Sequence, residues 1–457
     1  MAKRIGWWTG AVMLLGLAVS AAVFRPDRAM QAGAGLTAHN LCSAVFVAGL
    51  PADDTYREMV LPMLGRIAGS LVSYQVDRHD RSVEASFIGI RKARARFTPG
   101  YGCRLDYPEN VPAPAPLAAK APVDDDFAPR YPVTSTDPVI AAAIERVFRE
   151  DPEQPVKHVK AVVIVKDGHV VAERYAPGFG IDTPVLSWSV AKSFTNALLG
   201  ILVGQGRLRV DQPLAAPEWT GAGDDPRLRV TIEDLMRMQS GLDVEESESG
   251  FSPVARMEFT LADMAGFAAR HPLKDPPGKV WEYTSADTLL LSRLLGQTVG
   301  GGATGMRDFA EKELFAPLHM ASPTMEFDGA GTFLGSSYVH ASARDYARLG
   351  QLYVNDGIAP DGRRILPEGW VAWSRHSALG APYGAGFWTN DGPSRVAAVR
   401  VANGFPKDGF YASGILGERI YIVPSERLVI VRLGYSRPPD FGIQDDIALI
   451  SAAIKAP

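Results

Sequence analysis

A chain of 457 residues, 46% hydrophobic and 21% charged, is too long for one ordinary core and too apolar for wholesale disorder. Its 45 Gly and 34 Pro follow no collagen period, and two Cys cannot build a disulfide-dense scaffold or a four-cysteine zinc site. A net charge of −4 lacks the concentrated basic footprint that nucleic acid demands, so no nucleic-acid partner is expected.

At the N-terminus Lys3 and Arg4 precede an apolar stretch, Ile5 to Phe24, long enough as a helix to cross a bilayer core of about 30 Å. A cleaved signal has a shorter apolar region, and the one small-x-small site, Ala32-Gly33-Ala34, lies well downstream, so residues 1–24 read as an uncleaved anchor ahead of a removed signal. Either way the body is expected outside the cytoplasm, on the periplasmic face, held at the inner membrane by residues 5–24. There Cys42 and Cys103 can form a disulfide, which by chain entropy contributes about 4 kcal/mol for so long a loop; two buried free thiols are the alternative.

Residues 40–108 read as a small N-terminal unit. Within it, alternation over Arg91–Phe97 puts Lys92, Arg94 and Arg96 on one side of a strand and Ala93, Ala95 and Phe97 on the other, a solvated face with anionic lipid as a second option. Residues 109–133, with Pro112-Ala113-Pro114-Ala115-Pro116 and Asp124-Asp125-Asp126, read as an extended linker.

The domain from 134 to 457 opens with an amphipathic helix over Asp137–Arg149, then a hairpin turning at Asp167-Gly168. Thr231…Asp234 and Ser342…Asp345 look like hydroxyl caps with an acid three residues on. Strands are expected at Arg395–Val401, Ile420–Val423 and Leu428–Leu433, and a last helix from about Gly442 to Ile454. Strands at both ends around a helical middle predict an α+β fold, an antiparallel sheet flanked by helices with an inserted helical subdomain.

Chemistry enters at Ser189-Val-Ala-Lys192, where a helical pattern begins after Pro184. Three apart at a helix start, Ser189 and Lys192 share a face. A serine hydroxyl needs a base, and a lysine serves only when neutral, which burial and the positive helix end both favour. The bland alternative is a capping serine beside an exposed lysine, since one or two S-x-x-K matches arise by chance in about this length.

The surroundings carry more. Pro184-Val-Leu-Ser-Trp-Ser189-Val-Ala-Lys192-Ser-Phe resembles the nucleophile segment of the serine β-lactamase and penicillin-binding-protein superfamily. Thr231–Leu242 is similar to its helix ending in a small-Gly-Leu turn, Tyr283-Thr-Ser285 to its Tyr-x-Ser/Asn motif, and Ser342–Tyr353 to a helix of the class C branch. The matches fall in order across about 135–457, and the tyrosine motif points to class C β-lactamases, esterases and 6-aminohexanoate-oligomer hydrolases. The resemblance implies a β-lactamase/transpeptidase-like fold and, for Tyr283, a proton relay, with the neighbouring lysine expected to lower the phenol pKa. It implies Ser285 as a substrate-orienting group, and Ser413 and Gly414 as the remnant of the third motif. Backbone N–H groups of Ser189 and Ile415 would then form the oxyanion hole. The third motif departs from the family: Ala412 stands where it has Lys or His, Glu418 follows Gly414-Ile-Leu-Gly417 where Gln is common, and Arg419 is the one nearby cation.

No G-x-S-x-G, H-E-x-x-H or H-x-H occurs, so neither an α/β-hydrolase elbow nor a zinc site is expected, and no cofactor is called for. Glu245, Glu246 and Glu248 fall in a polar loop that reads as solvated, with the mouth of the site as the alternative. The expected activity is an exported serine hydrolase acting on a small ester, amide or peptide-like substrate through an acyl-enzyme on Ser189. A membrane-tethered, catalytically weak binding protein that holds cell-wall peptide or a partner is the second reading.

Overall fold

Asp167 and Gly168 take φ of 50° and 86°, the paired left-handed conformation that a two-residue hairpin turn requires. The turn joins β5 (Val159–Lys166) to β6 (His169–Tyr175) in a computed structural model that describes residues 25–118, 126–153, 156–219, 224–247, 249–438 and 441–455. The expected anchor, residues 1–24, lies outside the described residues; among those described, no helix is long and apolar enough to cross a membrane.

The first helix, α1 (Pro26–Phe46), is buried on every side from Ala32 to Val45. Its small residues allow this, because an α-helix without a polar face must be covered all round. One side rests on an antiparallel sheet of β1 (Val72–Asp77), β2 (Ser82–Phe87), β3 (Arg91–Thr98) and β4 (Gly102–Leu105). The other meets the helix Pro253–Thr260. Helix α1 runs from Pro26, ahead of the boundary expected near 40, and β3 carries the alternation read at Arg91–Phe97. Cys42 of α1 and Cys103 of β4 form a disulfide, with Cα atoms 6.0 Å apart.

Glu326 ties this unit to the rest. Its carboxylate accepts from His39 Nε2 and Ser43 Oγ, both at 2.7 Å, and from the Cys103 N–H at 2.9 Å, with His340 Nε2 3.4 Å away. Burial alone would raise its pKa; the facing imidazoles instead hold it down at about 2. The stretch expected as a free linker is tied down where described: Phe127 and Val133 carbonyls accept from Val170 and Glu173 of the hairpin, and Val111 N–H donates to Gly329.

The large domain is organised by a six-stranded antiparallel sheet in the order β10 (Trp388–Thr389), β11 (Phe410–Ser413), β12 (Arg419–Val423), β13 (Leu428–Gly434), β5 (Val159–Lys166), β6 (His169–Tyr175). Its two faces are both buried, which explains the near-continuous apolar runs of β5 and β13. Helices α2 (Pro138–Phe148) and the C-terminal α7 (Ile443–Lys455) cover one face through Ile140, Ile144, Leu449 and Ile450. On the other lies α6 (Ala343–Val354), whose Tyr346 and Tyr353 meet α3 (Ala191–Gly204), and α5 (Ser285–Val299) packs on α3; α4 is the Pro253–Thr260 helix already met. A small sheet orders β7 (Val185–Leu186), β9 (Val339–Ala341) and β8 (Thr324–Met325).

One expected strand is a helix. Residues Arg395–Ala402 are helical, with Ala397 and Arg400 buried and Val396 and Val399 exposed, so these two valines, three apart, share the solvent side. Arg400 holds the turn by donating to Thr389 O and Asn390 Oδ1, a long-range contact that overrides β propensity. Of the two hydroxyl caps, Thr231 forms a reciprocal capping box with Asp234, whereas Asp345 turns to Ser322.

Two helical glycines give opposite expectations. A Cβ at Gly35 would lie 2.0 Å from the Phe259 carbonyl oxygen, while one at Gly296 meets nothing within 4 Å. Gly35→Ala is expected to destabilise by about 1–3 kcal/mol through overpacking against backbone, and Gly296→Ala to stabilise by about 0.5–1 kcal/mol through helix propensity. Thermal or urea unfolding of both variants checks the sign of each.

Candidate active site

From Val185 to Leu202 every residue is buried except Ser189. The segment is pinned by β7 pairing with β9 and by the Ser187 N–H donating to Val339 O at 2.8 Å. A 3-10 turn, Trp188–Val190, then leads into α3. The helix begins two residues later than the sequence pattern suggests, and Ser189 sits on the tighter turn before it. Trp188 is forced to φ 43°, a left-handed conformation that costs a bulky residue about 1–3 kcal/mol. Its indole, packed near the Tyr338 ring, holds that strain in place.

Lys192 lies one turn on, 3% exposed. Its Nζ is 3.0 Å from Ser189 Oγ, from Ser285 Oγ at the start of α5, and from the Ser336 carbonyl oxygen. Burial lowers its pKa, with Glu246 and Glu258 pulling the other way. Tyr283 stacks on Trp388 at 5.7 Å and meets Tyr383 edge-on, with Lys192 Nζ 4.8 Å from its ring centre. The phenol pKa is not lowered as expected. Burial raises it well above the ordinary value and Glu246 adds to this, while an interaction with Ser189 only partly opposes.

The third-motif strand, β11, abuts this turn. A Cβ at Gly414 would lie 2.7 Å from Ser187 O, so only a glycine lets the strand end come so close. Ser413, Gly414 and Ile415 line the same cavity as Ser189, Tyr283 and Ser285, a space of about 560 Å³. Ala412 instead turns into the core at 1% exposed. Arg419 is also away from the cleft: it pairs with Asp446 of α7 at 2.8 Å and donates to Phe441 O. No described residue lining the cavity is Arg, Lys or His.

Some of the site was not legible in the sequence. Glu258 on α4 is buried, donates nothing, and accepts from Ser337 Oγ at 2.7 Å; burial raises its pKa to about 7. Its only signal was an acid lodged between inward-facing Met257 and Phe259. Trp388 and Tyr383 gave no signal, since they reach Tyr283 only through folding. Glu246 lines the cavity and accepts from the Ser285 N–H, whereas Glu245 is exposed and Glu248 lies outside the described residues. Among the described residues no group of three or more His, Cys, Asp or Glu is placed to hold a metal ion.

The β-lactamase family model matches residues 144–454. The chain is 25% identical over 354 residues to a 6-aminohexanoate-dimer hydrolase from Paenarthrobacter ureafaciens, covering 72% of this chain and 87% of the relative. In solved structures, the fold is shared with the hydrolase EstCE1 (TM-score 0.53, 16% identity, covering 68% of this chain and 98% of that one). It is shared equally with a penicillin-binding-protein homologue from Caulobacter crescentus (TM-score 0.51, 17% identity, covering 70% and 98%).

Glu418, where relatives of the motif carry Gln, is fully buried against the Gly414–Gly417 loop and accepts from Leu416 N–H at 3.1 Å. Burial raises its pKa to about 8, so at neutral pH it is an uncharged acid of glutamine's shape. Because the unfolded chain gives up this proton near 4.5, the stability it contributes is complete below that pH and is lost as pH rises towards 8. The Tm of Glu418→Gln is therefore expected to gain on wild type between pH 5 and pH 8. Parallel thermal melts across that window measure the gap.

Proposed function

Because the chain belongs to the β-lactamase family and is a serine hydrolase of that fold, we propose that Ser189 is its nucleophile, with Lys192 as base and Tyr283 as the acid for the leaving group. The observation that carries the reading is the 3.0 Å contact between the one accessible residue of the Val185–Leu202 segment and a lysine whose burial favours the neutral amine. Ser189 Oγ attacks the carbonyl carbon as its proton passes to Lys192 Nζ. Tyr283, its pKa raised, keeps its proton until the leaving group takes it, and the phenolate is then reprotonated by the Lys192 ammonium with the proton that came from Ser189. Ser189 and Ile415 N–H groups are assigned to the oxyanion, a placement supported by the close approach of Gly414 to the nucleophile turn. Water then attacks the acyl-enzyme along the same proton path.

An ester or amide without a carboxylate near the scissile bond suits this cleft better than a β-lactam. The family's third-motif cation has no counterpart: Ala412 faces the core, Arg419 faces Asp446, and Glu246 puts a carboxylate at the cavity wall. Export is part of the proposal, supported by the Cys42–Cys103 disulfide, which persists in oxidising compartments.

Four outcomes are expected. A fluorophosphonate probe labels Ser189 in wild type, located by peptide mass spectrometry, and Ser189→Ala loses both label and p-nitrophenyl acetate turnover. Tyr283→Phe keeps the label and loses about 10²–10⁴ in kcat/KM. In wild type kcat/KM rises with pH, because the neutral amine grows, along a limb centred below lysine's ordinary 10.5; turnover that is unaltered in Ser189→Ala sinks the mechanism. For substrate class, Glu246→Gln is expected to raise the nitrocefin-to-ester ratio of kcat/KM by about fivefold, the relief of about 1 kcal/mol of charge repulsion.

A further inference from the structure

About a third of the residues lining the cavity over Ser189, ten of 28, lie outside the family-matched segment. Opposite Ser189, Tyr283 and Ser413 stand Met30, Gly33 and Leu36 of α1, Met63 and Leu64 of the short helical turns after it, and Phe87 of β2. All six precede residue 144, where the match begins. None carries a charge or a hydrogen-bonding side chain. At Gly33 a Cβ would meet Leu64 at 3.2 Å and Phe87 at 3.3 Å, so the missing side chain lets these three elements close into one continuous apolar surface.

We propose that the N-terminal unit is a part of the substrate site, and that its wall receives an uncharged aliphatic chain of the ester or amide. The proposal rests on Ser189 being the nucleophile. Contiguity argues for a substrate chain as the occupant, since one cavity of about 560 Å³ runs from Ser189 to this wall. Its chemistry argues for an aliphatic one: thioether and aliphatic side chains adapt to a flexible hydrocarbon and offer a polar group nothing. Charge excludes the alternatives that carry a carboxylate, because Glu246 and Glu258 are the ionisable carboxyl groups on the cavity and no described lining residue is cationic.

The test uses the full-length protein and two homologous series, p-nitrophenyl esters from acetate to octanoate and alkyl acetates from methyl to octyl. In at least one series kcat/KM is expected to climb about fourfold for each methylene buried. Leu64→Trp, which fills the wall, and Met30→Asp, which charges it, each lower the octanoate-to-acetate or octyl-to-methyl ratio at least tenfold in the series that climbs. Ile90→Ser, on the same unit but 72% exposed and off the cavity, leaves that ratio unchanged. Using two wall variants keeps the test valid if one fails to fold. Flat ratios in both series, or a ratio that neither wall variant moves, overturn the proposal while leaving the hydrolase intact, as long as Ser189 is labelled and acetate is cleaved. Absence of labelling and of acetate cleavage sinks the Ser189 reading and this proposal with it.

Discussion

An amine without water is the constraint around which this molecule is arranged. Lys192 Nζ has three oxygen neighbours at 3.0 Å, one on the turn before its own helix, one at the start of α5, and one on the 336 loop. A buried ammonium with any of these missing would be costly, since an unpaired charge in a dry interior outweighs several ordinary hydrogen bonds. The three elements are thus held in register by the same atom that the proposed mechanism makes the base. Three oxygens can accept from the group in its charged form, while burial disfavours that form and lowers the pKa.

The phenol beside it plays the opposite part. A charge within a few ångströms usually draws a tyrosine towards phenolate, and the motif alone suggests that outcome. Trp388 and Tyr383 exclude water from Tyr283, and Glu246 adds negative charge, so the neutral phenol wins. Two neighbouring groups with pKa values pushed in opposite directions from their ordinary values suit the roles of base and acid that the proposal gives them.

What could be read ahead of the structure was local. Asp167-Gly168 specifies its turn by φ alone, and Ser189 and Lys192 meet because three residues of helix bring them together. The third motif was legible as a segment, yet which of its side chains faces the cleft depends on strand register: Ser413 pairs with Arg419 and Ala412 with Ile420, and the pleat sends Ala412 to the core. Arg395–Ala402 misleads because β-branched Val396, Val399 and Val401 suggest a strand, while Arg400 is anchored by Thr389 and Asn390 far along the chain. The apolar wall was invisible for a plainer reason. Met30, Leu64 and Phe87 are unremarkable in sequence and line the cavity only when α1 is laid between the β1–β4 sheet and α4.

That sandwiching has a thermodynamic corollary, and Glu326 shows it most clearly. Three of its contacts come from the first hundred or so residues, and only His340 from its own side. Cutting the chain between the two parts would leave a carboxylate buried for its folded partners and facing an empty seat. The compositional seam in the sequence is therefore not a seam in stability. The two parts should melt in a single cooperative transition, and neither is a module that can be shuffled onto another scaffold unaltered.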